Sequence, residues 1–338
     1  MIKVAILSYW HVHAKDYARM AAEHPDTEII AVWDESSERG RQKAEELGVP
    51  FYEDLSALLA KPDLDAVIVV TPTTQHREVM IAAAEAGKHI FTEKVVAVTT
   101  KECNEILAAV EAAGIKLMVS LPRLYTGFTQ AAQRLIHEGA LGVVTTVRIR
   151  LAHNGALPTE ANPQGSLPAH FFERQESGGG AMIDLGCHPM YLTRLFLGLP
   201  ESVSAGYGYI TGREVEDSAV TILHYASGAL GIVEAGFVNS YSQFNIEVQG
   251  TEGSIMYDRS DNKLVARSAK LGGTSGWQEV ADAAAPTASA FEQWVSHIQA
   301  GTKAAENIEL ARDLTRLMEA SNLSARSGTA YRLSDLSE

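Results

Sequence analysis

Through the first third of the chain, short apolar runs alternate with stretches that are apolar on one side only. Ile2 to Leu7, Glu28 to Trp33, Ala66 to Val70, His89 to Thr92 and Lys116 to Val119 are brief and largely apolar, as strands buried on both faces are. Between them, Ala14 to Glu23, Ser37 to Leu47, His76 to Ala86 and Thr100 to Ala113 repeat apolar positions at helical spacing. Gly48, Gly87 and Gly114 follow these helices where C-caps are expected. Strands and helices alternating at this spacing predict a parallel sheet with right-handed crossovers. Such sheets bind ligands beyond the carboxyl ends of their strands.

The rhythm changes around Leu121-Pro122-Arg123. A helix over Phe128 to Glu138 and a strand over Val143 to Arg150 are followed by an irregular stretch, Ala152 to Gly180, long enough to suggest a functional loop. A helix near Asp184 to Leu197 comes next. Alternating segments then run over Ala219 to Tyr225, Leu230 to Phe237, Gln243 to Gly250 and Ser254 to Tyr257. Turns at Ser227-Gly228 and Thr251-Glu252-Gly253 predict hairpins, and so an antiparallel sheet. Leu271 to Pro286 is rich in Gly, Ala and Thr and is read as a loop. Helices over Ala290 to Ala300 and Glu306 to Ser327 come last. The expected division is residues 1–122 and 123–338.

Bulk properties narrow the function classes. A chain of 338 residues suits two domains. A net charge of −14 argues against nucleic acid or an anionic membrane as partner. It leaves room for an anionic cofactor, because a helix N-terminus binds phosphate without net positive charge. Two cysteines in unrelated contexts, no long apolar span and no secretory leader point to a cytoplasmic protein.

Two motifs carry candidate chemistry. In Ser177 to His188, a run of three glycines allows a sharp turn and close approach to a ligand. Asp184 and His188 follow it at helical spacing, on one face if the segment is helical. An imidazole beside a carboxylate moves protons near neutral pH. The second motif, Phe91-Thr92-Glu93-Lys94, ends a buried strand, where a lysine can stabilise a developing alkoxide. Pro189 is expected to bend the helix or mark its first turn. Asp34, at the end of the second strand, stands where an acidic residue binds the adenosine ribose, and Glu35 adds charge against a 2′-phosphate. Among loop residues, Arg123 and His170 are read as substrate contacts. No metal-ligand cluster stands out.

Several of these segments together resemble the Gfo/Idh/MocA oxidoreductases: Thr71-Pro72-Thr73 with His76, Ala86 to Lys94, Gly178-Gly179-Gly180 with Asp184 and His188, Glu216 to Ala219, Gln249 to Ser254, and Ala325 to Gly328. The resemblance implies an α/β protein. It has an N-terminal Rossmann parallel-sheet domain and a C-terminal α/β domain with a large, mostly antiparallel open sheet. An active site in the cleft between them is implied as well. By position, Lys94, Asp184 and His188 match the family's catalytic set. Ser8, Trp10, His11, Val12, Asp34, Thr71, Pro72, Thr73, His76, Glu93 and Lys94 match its cofactor-facing positions.

The chain departs from the family pattern at three places. Ser8, Trp10 and His13 replace the glycines of the first turn, Val95 replaces the proline after the lysine, and Tyr191 replaces an aspartate common three residues after the histidine. Without glycine, positions 8, 10 and 13 do not readily take positive φ, so a reshaped loop is expected. In that loop Trp10 is displaced sideways and backbone N–H groups near Val12 and Ala14 hold the pyrophosphate. The resulting expectation is an NAD-dependent dehydrogenase, NADP being disfavoured, acting on a secondary alcohol of a sugar, polyol or related cyclic compound. A homodimer or homotetramer is expected. Rival readings are transient oxidation within a net hydrolysis or epimerisation, and a non-catalytic sugar or dinucleotide sensor on the same fold.

Overall fold

The computed structural model describes residues 1–241, 244–271, 276–281 and 287–337. Gln243, at the start of one expected strand, and residues 272–275 and 282–286 of the expected loop lie outside them. The chain divides into two compact units. The first comprises Met1–Ser120 and Ser289–Arg312, the second Leu121–Ala288 and Asp313–Ser337. The division expected near residue 122 follows chain order. In space, Ser289–Arg312 groups with the first unit.

The first unit is a six-stranded sheet in the order β3-β2-β1-β4-β5-β6. Its strands are β1 (Ile2–Leu7), β2 (Thr27–Trp33), β3 (Phe51–Tyr52), β4 (Ala66–Val69), β5 (His89–Thr92) and β6 (Leu117–Val119). Every pairing is parallel. This is the Rossmann order, with its switch point between β1 and β4. All four residues of β4 are buried, which explains its unbroken apolar run. Helices Ala14–Glu23, Ser37–Leu47 and Thr100–Ala113 have the bounds the sequence implied. Ser36 caps the second by accepting from Arg39 N–H, and Thr99 and Glu102 form a capping box on the third.

The returning segment packs against β5 and β6 of this sheet. In helix Ala290–Ala300, Phe291 and Trp294 pack 5.5 and 5.6 Å from Phe91, ring centre to ring centre. Asn307 then accepts from Val119 N–H and donates to Val119 C=O, at 2.9 and 3.0 Å. One amide side chain thereby satisfies part of an otherwise open sheet edge.

The second unit is a nine-stranded sheet, β14-β13-β12-β11-β7-β10-β9-β8-β15. Here β7 is Val144–Ala152, β8 Ser202–Gly208, β9 Ser218–His224, β10 Leu230–Gly236, β11 Asn245–Gly250, β12 Gly253–Asp258, β13 Lys263–Ser268, β14 Gln278–Glu279 and β15 Tyr331–Arg332. Among the described residues only β7 and β10 pair in parallel, so the sheet is mostly antiparallel. Both expected hairpins form, β9 with β10 and β11 with β12. From residue 153 to 180 the chain holds only the turns Ala169–Phe172 and Arg174–Ser177. Among the described residues, no helix is long and apolar enough to cross a membrane.

Candidate active site

In the first unit the site is built on the loop leaving β1. Ser8 takes φ +79° although it is not glycine, which corrects the expectation that this position avoids the left-handed region. That conformation costs a non-glycine residue roughly 1–2 kcal/mol. The Ser8 side chain offsets it locally. Its Oγ accepts from Trp10 N–H at 3.0 Å, and its hydroxyl hydrogen-bonds the Glu35 carboxylate. Trp10 is buried, with its indole 6.1 Å from the His11 ring. Tyr9 N–H donates to Asp34, His11 N–H to Val70 C=O and Ala14 N–H to His11 C=O. Among the described residues Val12 N–H has no partner, and Val12 is 45% exposed just before helix Ala14–Glu23. Of the two backbone donors expected to hold pyrophosphate, Val12 is therefore open and Ala14 is engaged within the loop.

Thr71 supports the same assignment. Just beyond β4, its Oγ1 is buried and finds no hydrogen-bond partner among the described residues. An orphaned hydroxyl costs about 1–3 kcal/mol unless a ligand satisfies it. Together, Val12 N–H, the Thr71 hydroxyl and the left-handed turn at Ser8 fit a dinucleotide. Pro72 and Thr73 follow at the start of the next turn. His76 is fully buried, Nδ1 lying 2.9 Å from Val95 C=O and Nε2 3.2 Å from Thr71 C=O. It braces two loops, and burial pushes its pKa down. Asp34 has no exposed side-chain surface and is filled by Tyr9 N–H, Ser36 N–H and a bidentate Arg39. A ribose hydroxyl reaches Asp34 only by displacing one of these donors.

Glu93, just past β5, is the electrostatic centre of this unit. Burial alone would raise its pKa, but His13, His11 and Lys94 overcome that and hold it well below the usual carboxylate range. Oε2 lies 3.0 Å from His13 Nδ1 and accepts from the Tyr17 hydroxyl, while Oε1 accepts from Lys94 N–H at 3.0 Å. Burial and the adjacent Glu93 carboxylate push the Tyr17 phenol up. Its oxygen is 2.8 Å from Ser120 Oγ. Lys94 is 4% exposed, with Nζ 4.0 Å from Glu93 Oε1. The peptide bond from Lys94 to Val95 is cis.

His11, His13 and Glu93 bring ligand-type atoms within 4.8 Å of one another, a cluster the sequence did not suggest. Lys94 and the positive end of helix Ala14–Glu23 both oppose a cation there. The members already bond directly to each other.

In the second unit, the glycine run serves the protein's own backbone. A Cβ at Gly180 would collide with the Glu216 main chain. Glu216 Oε1 accepts from Gly180 and Met182 N–H, each at 3.0 Å. Burial raises the Glu216 pKa, and these N–H groups oppose the shift. The helix expected near Asp184 begins as a π-helical turn, Met182–Gly186, and becomes α-helical over Cys187–Leu197. Asp184 and His188 therefore sit on different helical registers, not one uniform face. Pro189 lies in the first α-helical turn, where its missing N–H is tolerated.

His188 is 6% exposed, with Nδ1 3.1 Å from the Tyr191 hydroxyl, which also accepts Arg123 N–H at 3.0 Å. Tyr191 is fully buried, and burial pushes its phenol far up. Asp184 acts on His153. Burial lowers that imidazole's pKa and the Asp184 charge opposes the shift. His153 stacks on Phe237, ring centres 5.3 Å apart. His170 sits in the turn Ala169–Phe172, its ring 5.3 Å from Phe171. Sequence reasoning missed Tyr17, Ser120, His153 and the pairing of Tyr191 with His188. Tyr191 alone had a signal, as the residue standing where relatives carry aspartate.

The comparisons agree with this fold. Residues 2–121 match the family model described as an oxidoreductase family with NAD-binding Rossmann fold, and residues 129–256 match the GFO/IDH/MocA C-terminal domain. The chain is 32% identical to scyllo-inositol 2-dehydrogenase (NAD(+)) of Bacillus subtilis (strain 168) over 72% of this chain and 69% of that protein. It is 29% identical to D-xylose 1-dehydrogenase (NADP(+)) 2 of Haloferax volcanii over 94% of each. The crystal structure of aldose-aldose oxidoreductase from Caulobacter crescentus, complexed with glycerol, superimposes with a TM-score of 0.80 at 25% identity, covering 98% of this chain and 99% of that one. Rossmann sheet, antiparallel partner sheet and matched models together establish that the chain belongs to the Gfo/Idh/MocA family of NAD-binding oxidoreductases.

Proposed function

We propose that the chain is a dehydrogenase moving a hydride between NAD and a secondary alcohol of a sugar, polyol or related cyclic compound. The relatives named above, an inositol dehydrogenase, a xylose dehydrogenase and an aldose oxidoreductase, support a polyhydroxy substrate. The observation that carries the reading is Lys94, buried beside an ionised Glu93 at the carboxyl end of β5. When bound, NAD supplies the hydride acceptor at nicotinamide C4.

The remaining chemistry falls to side chains. Lys94 hydrogen-bonds the reacting oxygen and stabilises the negative charge that develops on it. His188 takes the hydroxyl proton at Nε2, because Nδ1 faces Tyr191. Asp184 stabilises the imidazolium that results. Val12 N–H and the Thr71 hydroxyl hold the dinucleotide. NAD is favoured over NADP because Asp34 and Glu35 repel a 2′-phosphate. Arg39 and Arg41 do not reverse this, being engaged by Asp34 and Glu35 and by Glu53. His170 and Arg123 contact substrate. A cytoplasmic homodimer or homotetramer completes the proposal, the oligomer being checked by light scattering.

The test joins calorimetric titration of NAD and NADP to absorbance of reduced nicotinamide over a panel of sugars and polyols. NAD is expected to bind more tightly and at least one substrate to reduce it. Absence of binding at millimolar NAD would hand the fold to the sensor reading.

A further inference from the structure

Arg123 follows Pro122 in the turn Pro122–Tyr125, and its guanidinium is held in an unusual way. The guanidinium carbon lies 4.0 Å above the centre of the Phe244 ring. Its Nε is buried with no hydrogen-bond partner among the described residues. Among the described residues, the side chain forms no ion pair or hydrogen bond. The titratable groups acting on it most are Tyr191, Arg259, Cys187 and Tyr257, none of them a carboxylate. Two other arginines have an orphaned nitrogen, but each is engaged elsewhere, Arg150 with Asn245 and Arg213 with the Gln164 carbonyl.

That no described residue offers Arg123 an anion is notable in a chain with 42 acidic residues against 28 basic ones. A guanidinium does not deprotonate to escape burial, so the unpaired charge remains a standing cost. The residue is half-buried, not sealed within the core. Its planar fork matches the two oxygens of a carboxylate. The location is also specific. Arg123 N–H donates to the Tyr191 hydroxyl, whose other neighbour is His188 Nδ1. The Arg123 backbone is thus joined through one phenol to the histidine assigned above as the base, and that phenol also acts on the guanidinium.

We propose that Arg123 binds the carboxylate of the substrate, so that the preferred substrate is a sugar acid and not a neutral sugar. The word substrate rests on the dehydrogenase reading; the anion site does not.

The test is calorimetric titration of the NAD-loaded full chain with D-glucuronate, D-galacturonate, D-glucose, D-galactose and D-glucose 6-phosphate. The wild-type protein should bind a sugar acid at least roughly tenfold more tightly than its neutral counterpart, the range for a hydrogen bond to a charged group. In Arg123→Gln the acid-to-neutral ratio should fall close to one. Arg123→Lys, which keeps the charge without the fork, should retain part of it. Melting curves confirm that both variants are folded. The proposal is overturned by equal affinity for acid and neutral sugars, by no binding of either acid, by a preference surviving in Arg123→Gln, or by tighter binding of the sugar phosphate. Arg123-dependent acid binding without formation of reduced nicotinamide leaves the anion site standing and removes the dehydrogenase reading.

Discussion

The charged centres of the two units are built on opposite terms. Around Glu93, one carboxylate is surrounded by two imidazoles, a phenol, a backbone N–H and an ammonium. Around Arg123, one guanidinium has an aromatic face and, among the described residues, no anion. The first arrangement is complete without a ligand, so its side chains are held in place before one arrives. The second is incomplete and gains most when an anion binds. Catalysis profits from the first kind of rigidity, because preorganised charges need not rearrange during reaction. Selectivity profits from the second, because an unpaired charge discriminates strongly between ligands that satisfy it and those that do not.

The hardest test of this contrast removes the reacting groups from each side. Lys94→Ala and His188→Ala should each lower kcat by at least roughly a hundredfold with the fold intact, measured by steady-state kinetics and circular dichroism. Near-native kcat in either variant breaks its assignment. Asp184→Asn should cost less than His188→Ala, since it supports the proton transfer without making it.

A smaller effect tests how complete the first centre is. Glu93→Gln should reduce unfolding free energy by roughly 1–3 kcal/mol at neutral pH, read from urea denaturation. The Glu93 carboxyl is held below its ordinary value, so its contribution is present above the unfolded pKa and lost as pH falls through the folded one. The gap between wild type and variant should therefore shrink below about pH 4. A gap that widens in acid contradicts the ionised hub.

Tyr191→Phe sharpens the second centre. We expect kcat to drop by no more than roughly tenfold, as for loss of one neutral hydrogen bond. If His188 Nδ1–H donates to the phenol, that bond stabilises the imidazolium. The acid limb of the kcat/KM profile should then move to lower pH in the variant. Movement to higher pH would show that Tyr191 donates instead.

The smallest expected change is at the loop after β1. Ser8→Ala keeps the left-handed strain and loses both side-chain bonds, so it should be destabilised by roughly 1–2 kcal/mol. Ser8→Gly loses the bonds and relieves the strain, so its melting temperature should stay closer to wild type. Equal losses in both would remove the strain argument.

Residues close in sequence announced themselves well. Ala14–Glu23, Ser37–Leu47, Thr100–Ala113 and Ala290–Ala300 were legible because apolar spacing agreed with local punctuation, including capping boxes at Thr99 and Ser289 and left-handed glycines at 48, 114 and 301. Phe51–Tyr52, Gln278–Glu279 and Tyr331–Arg332 were not, since two residues carry no period. Ser202–Gly208 hid behind small residues of weak strand preference. The shift from π to α after Gly186 also left no local sign, because both registers satisfy the same apolar run.

The sequence by itself determined the two-sheet architecture, the placement of Glu93-Lys94 at a strand end and the pairing of chain segments into hairpins. Each follows from periodicity and turn chemistry acting over a few residues. Only the tertiary structure decided that Ser289–Arg312 returns to the first sheet, that His11, His13 and Tyr17 converge on Glu93, that Tyr191 meets His188 Nδ1, and that Arg123 has no anion among the described residues. An amphipathic helix fits many apolar surfaces, and a polar side chain many partners. Which of them it meets depends on packing between segments up to hundreds of residues apart in the chain, where burial turns an ordinary charge into a constraint.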